Sequence, residues 1–169
     1  HVSPFTVLQI RPRMTPHLVH RDQPLHLAGI TTRTTNAAEF SPATAQIGPL
    51  WQRFFTAQVA QSVPGYTPQS AVYGVYSGYE SDAMGAFDVS AAVQASTVPE
   101  GLQAVTVPAG AYLVFEARGP MPATVVALWG VVWQYFLGQP AHLRRYGSDF
   151  EEYSGEGRVA IYIGVLDAG

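Results

Sequence analysis

The chain has 169 residues, 47% of them apolar and only 12% charged, and no cysteine. That length suits one domain or two fused modules and buries roughly 69% of the extended-chain surface on folding, so disorder is excluded and no disulfide or thiolate-zinc framework is available. Nine cations, all arginine, against twelve carboxylates leave a net charge of −3, which lacks the basic excess of a nucleic-acid-binding surface.

The opening His1-Val2-Ser3-Pro4 carries no basic stretch ahead of an apolar run. It does not read as a secretory signal, and the missing initiator Met suggests a trimmed or excised domain, with the cytoplasm as the expected location. His17-x-x-His20, with His26 further on, falls in a strand-like or loop segment where that spacing does not bring both rings to one face. No metal site or cofactor is expected from it. Leu25 to Thr35 reads as a first strand. Ile47, Leu50, Trp51, Phe54, Phe55 and Val59 then recur at helical spacing, with Ser41-Pro42 as the expected start of that helix.

Turn signals at Val63-Pro64-Gly65 and Ser77-Gly78-Tyr79 bracket a strand over Ala71–Ser77. Phe87, Val89, Ala91 and Val93 alternate as a further strand, which Pro99-Glu100-Gly101 follows. Val105 to Arg118 reads as one long strand interrupted early by Pro108-Ala109-Gly110. From Pro122 to Leu137 an apolar stripe of Val125, Leu128, Trp129, Val132, Trp133 and Phe136 marks a second helix, ended by Gly138 and Pro140. The segment is too short and too interrupted to span a bilayer, so it is read as a core helix and no membrane partner is expected. Asp149–Tyr153, a turn at Ser154–Gly157 and an alternating strand over Val159–Leu166 complete the chain.

Leu50-Trp51-Gln52-Arg53-Phe54-Phe55 parallels Val132-Trp133-Gln134-Tyr135-Phe136-Leu137 at an offset of 82 residues, and Ala28-Gly29-Ile30 falls on Gly110-Ala111-Tyr112 at the same offset. Each copy reads strand, helix, strand, strand. The expected fold is α+β: tandem strand-helix-strand-strand modules related by a pseudo-twofold, forming an antiparallel sheet with two main helices on one face. The whole of 1–169 is read as a single domain, with module one over about 5–97 and module two over about 103–166.

Strand alternation then sorts the side chains. Leu113, Phe115 and Ala117 form an apolar row suited to the helices, as do Val159, Ile161, Ile163 and Val165. Tyr112, Glu116 and Tyr162 fall to the helix-free front, and Glu151 with Tyr153 is assigned there too. A carboxylate walled by aromatic rings suits a lipophilic cation through charge pairing and cation–π contact. No nucleophile elbow, phosphate loop or dinucleotide fingerprint is present.

Ala28–Thr34, Ile47–Phe54, Val72-Tyr73-Gly74-Val75-Tyr76, Pro108–Phe115 and Asp149-Phe150-Glu151-Glu152-Tyr153 follow one another in an order that resembles the GyrI-like small-molecule-binding domains, also found as effector-binding domains of AraC- and MerR-type transcription regulators. The resemblance covers about Phe5 to Leu166. It implies an acidic residue at Glu151 deep in an aromatic cleft, with Tyr153 beside it and with Trp129, Trp133 and Tyr162 from the second helix and last strand; Tyr73, Tyr112 and Glu116 complete the candidate set. It further implies multidrug binding of lipophilic, often cationic, compounds. Such a protein acts either as sensor for a fused DNA-binding domain outside this chain or alone, without direct nucleic-acid contact. The alternatives it carries are hydrolysis of strained electrophiles, with Glu151 as general acid/base and Tyr153 as helper, and a gyrase-inhibitor-like protein-interaction module.

Overall fold

The computed structural model describes residues 15–138 and 140–166; the ends of the 1–169 domain, including the start of module one near residue 5, lie outside them. Eight strands form one antiparallel sheet: β1 (His17–Arg21), β2 (Leu25–Thr34), β3 (Val72–Ser77), β4 (Phe87–Gln94), β5 (Gln103–Val107), β6 (Gly110–Arg118), β7 (Arg144–Ser154) and β8 (Arg158–Val165). Among the described residues three α-helices accompany it, α1 (Asn36–Glu39), α2 (Ile47–Thr56) and α3 (Ala123–Leu137), with a short 3-10 turn at Ala60–Ser62. The spatial order is β1-β6-β8-β7-β3-β4-β2-β5. This is the expected α+β architecture, and the two halves β2-α2-β3-β4 and β6-α3-β7-β8 meet where β3 pairs with β7.

The strand leading each half is exchanged. β1 precedes β2 but pairs with β6, and β5 precedes β6 but pairs with β2. Pro108-Ala109 is therefore a link between two strands on opposite sides of the sheet and not a break within one. In a flat sheet β5 and β6 would stand six strand spacings apart, roughly 29 Å, yet two residues reach only about 10 Å. The sheet must curl until its borders meet. Its inner face is packed by Leu27, Val75, Val107, Tyr112 and Phe150, drawn from both halves.

The helices lie on the outer face. Leu50 and Phe54 of α2 bury against Val89 and Val93; Leu128 and Val132 of α3 bury against Leu113, Ile161 and Ile163. The β6 and β8 rows are those that alternation assigned to the helix side. The start of α2 differs from expectation: it begins at Ile47, not near Ser41-Pro42. Gln46 makes no side-chain cap, and Glu39 supplies one instead, accepting the Gln46 amide at 2.8 Å and the Ile47 amide at 3.1 Å. A carboxylate two-pronged on free helix amides also complements the helix dipole. Among the described residues no helix is long and apolar enough to cross a membrane.

Candidate functional site

Because α2 covers β2 and β4 while α3 covers β6 and β8, the central strands β3 and β7 are left open between the helices. They form the floor of a cavity of about 940 Å³. Trp51 and Phe55 of α2 wall one side and Trp129 and Trp133 of α3 the other, with Tyr76, Glu151 and Tyr153 below.

Glu151 is 3% exposed. Its Oε2 accepts the Trp129 indole N–H at 2.7 Å and the Tyr76 hydroxyl at 2.9 Å, and its Oε1 accepts the Tyr153 hydroxyl at 2.8 Å. Burial pushes the carboxyl pKa up, against the opposing pull of the Trp129, Tyr153 and Tyr76 donors. Burial and the neighbouring carboxylate raise both phenols well above their ordinary range, so they remain donors. Among the described residues no cation pairs with Glu151. A buried carboxylate held only by neutral donors keeps most of its desolvation cost, which a cation entering the cavity would offset.

Opposite Glu151 in the β3–β7 ladder stands Gly74. A β-carbon there would lie 2.5 Å from Glu151 Oε1 and 3.0 Å from the Trp51 ring, so the missing side chain is what lets carboxylate and indole approach the floor. Two residues back along β7, Asp149 is fully buried on the same face but differently served. It accepts from Arg144 at 2.7 Å, from the Tyr79 hydroxyl at 2.5 Å and from the Gly164 amide at 2.8 Å. One carboxylate of the pair is thus neutralised and the other is not.

Of the residues singled out from the sequence, Glu151, Tyr153, Trp129 and Trp133 come together around the cavity. Tyr73, Tyr112, Tyr162 and Glu116 do not. The register pairs Glu151 with Ile161 and Tyr153 with Val159, which turns both to the helix side, whereas Tyr162 pairs with Phe150 and Glu116 with Ala160 on the inner face. The helix-free face is no open front, since the curl fills it. There Tyr112 donates to the Pro108 carbonyl at 2.7 Å, Tyr73 donates to Glu152 at 2.9 Å, and Tyr162 stacks on Phe150 at 4.3 Å. His17 and His20 sit on opposite faces of β1, as their spacing implied.

Sequence reasoning missed Trp51, Tyr76, Tyr79 and Arg144 as cavity residues. Tyr76 was legible in principle: in β3 it shares its face with Gly74, while Tyr73 shares the other with Val75.

Residues 19–165 match the model of the Cass2 family, described as integron-associated effector binding protein. The crystal structure of the integron cassette protein VCH_CASS2 from the mobile metagenome of Vibrio cholerae is 37% identical, covers 94% of this chain and 99% of its own, and superposes with a TM-score of 0.82. A putative bacterial transcription regulation protein from Staphylococcus aureus MU50 is 22% identical, with 92% and 100% covered and a TM-score of 0.71. SAV2435, solved bound to tetraphenylphosphonium, is 23% identical, with 90% and 94% covered and a TM-score of 0.69. These last two likenesses are of fold. No curated protein matches the sequence significantly. The resemblance to GyrI-like effector-binding domains stands, and the chain belongs to the Cass2 family of integron-associated effector-binding proteins.

Proposed function

We propose that the cavity binds lipophilic aromatic cations, with Glu151 as counter-ion and the Trp51, Trp129, Tyr76 and Tyr153 rings as its apolar and cation–π walls. Effector binding itself follows from the family; the class of effector is the further step. The observation that carries it is a carboxylate 3% exposed, held by three neutral donors, at the base of an aromatic cavity. A unit charge about 4 Å from Glu151 gains about 4 kcal/mol before desolvation at an effective dielectric of about 20, and ring faces add about 0.5–2 kcal/mol. That SAV2435, of the same fold, holds a phosphonium supports the choice. The protein would then serve as an effector sensor for a partner domain or as a stand-alone drug-binding protein.

The test is calorimetry with methyltriphenylphosphonium and its neutral near-isostere triphenylphosphine oxide, on the wild type and on Glu151→Gln. The cation is expected to lose about ten-fold or more in affinity, as a charge-assisted contact implies, while the neutral compound changes far less. Equal losses for both compounds would refute charge pairing.

A further inference from the structure

We infer that the cavity contains a second polar subsite, at Arg144, which takes a hydrogen-bond-accepting group, a carbonyl or carboxylate, of a ligand whose cationic centre lies at Glu151. This rests on the cation-binding reading of Glu151 and extends it to the ligand's other end.

Arg144 lines the same cavity, and its side chain is only 10% exposed. A guanidinium carries five N–H donors and no acceptor. It donates from Nη2 to Asp149 at 2.7 Å and interacts with the Tyr79 hydroxyl, and its Cζ lies 4.4 Å from the centre of the Tyr146 ring. Its Nε is buried without a partner. Neutralising Asp149 uses one N–H of the fork, and Arg144 borders the cavity, so the five-donor fork has N–H groups to spare for a group placed there. An acceptor presented from the cavity to an accessible N–H of this guanidinium would gain a charge-assisted hydrogen bond.

The charge arithmetic permits both ends to bind. Arg144 and Asp149 form a neutral pair, so Arg144 does not repel a cation at Glu151. Asp149 and Glu151 are two residues apart on one face of β7, in register with Ile163 and Ile161, about 7 Å along the strand, and the Arg144 guanidinium is held to Asp149 at 2.7 Å. The pair of poles suits a rigid aromatic frame bearing a positive centre at one end and an acceptor at the other, an amphoteric ligand. The volume of about 940 Å³ accommodates such a frame.

Two xanthylium dyes separate the alternatives: tetramethylrosamine, with a bare pendant phenyl, and tetramethylrhodamine, with a carboxylate on that ring. The readout is the ratio of their dissociation constants, by fluorescence anisotropy. In the wild type the carboxylate dye is expected to bind at least as tightly as the rosamine. In the charge-balanced double variant Arg144→Gln/Asp149→Asn the ratio shifts against the carboxylate dye by about ten- to a hundred-fold. Retained rosamine binding shows that the variant is folded. A wild-type protein that binds rosamine but rejects the carboxylate dye by more than ten-fold overturns the subsite without needing any variant, and so does an unchanged ratio in the double variant. If neither dye binds the wild type, the cation reading of Glu151 falls, and the subsite with it.

Discussion

Replacing Gly74 by alanine asks whether the cavity floor sets the position of the Glu151 carboxylate. The new β-carbon would stand 2.5 Å from Oε1 and 3.0 Å from the Trp51 ring, so reaching an ordinary contact of 3.4 Å requires Oε1 to retreat by about 0.9 Å. Oε1 is the atom that accepts the Tyr153 hydroxyl at 2.8 Å, and a retreat of that size breaks this bond. A hydrogen bond to a charged group contributes about 1.5–3 kcal/mol, and because this one is made without ligand its loss falls on stability, while displacement of the carboxylate weakens the hold on methyltriphenylphosphonium by about ten-fold. Overpacking costs about 1–3 kcal/mol of stability, offset by about 0.4–1 kcal/mol from the stiffer unfolded chain. With the lost hydrogen bond included, the melting temperature should fall by roughly 5–20 °C. Calorimetric titration and thermal denaturation of the same preparation measure both. Wild-type affinity together with an unchanged melting temperature would show that the carboxylate is not seated against Gly74.

The raised Glu151 pKa gives a pH dependence of definite sign. A phosphonium has no titration of its own, so its affinity should rise with pH across a window that begins at the ordinary carboxyl value of 4.5 and extends upward, and titrations from about pH 5 to 8 should show no such rise in Glu151→Gln. For the ligand-free protein the slope reverses: within that window the native state holds the proton that the unfolded state has lost, so stability declines as pH increases. Denaturant melts should find that decline removed in Glu151→Gln. At the other end of the cavity, Glu39→Ala strips the cap from α2 and should cost about 1–2 kcal/mol, seen as a lower melting temperature that Glu39→Gln partly restores.

Elements with a strong period were readable from the residues alone. The apolar stripe from Val125 to Phe136 falls within α3, and the alternating rows of β6 and β8 face the helices as assigned. Alternation groups Glu151 with aromatic residues, whereas its place deep in a cleft is what the family resemblance implies. Which face it occupies was not, because the period of two groups residues into two sets without saying which set meets the helices; the pairing of Glu151 with Ile161 decides that. The exchange of β1 and β5 was equally hidden, being a choice of distant partners that no local spacing records. Trp51 looked like helix core because it belongs to the α2 stripe, and only the gap left over β3 and β7 turns it toward a cavity.

The crossed lead strands bear on which parts of the site are free to move. Each half clasps the other's outermost strand, so prising the halves apart would sever the β1–β6 and β2–β5 ladders as well as the β3–β7 seam. The curled sheet is therefore a stiff anvil. Any accommodation would fall to what rests upon it: the tilt of two helices seated on separate halves, and the rotation of the indole rings they carry.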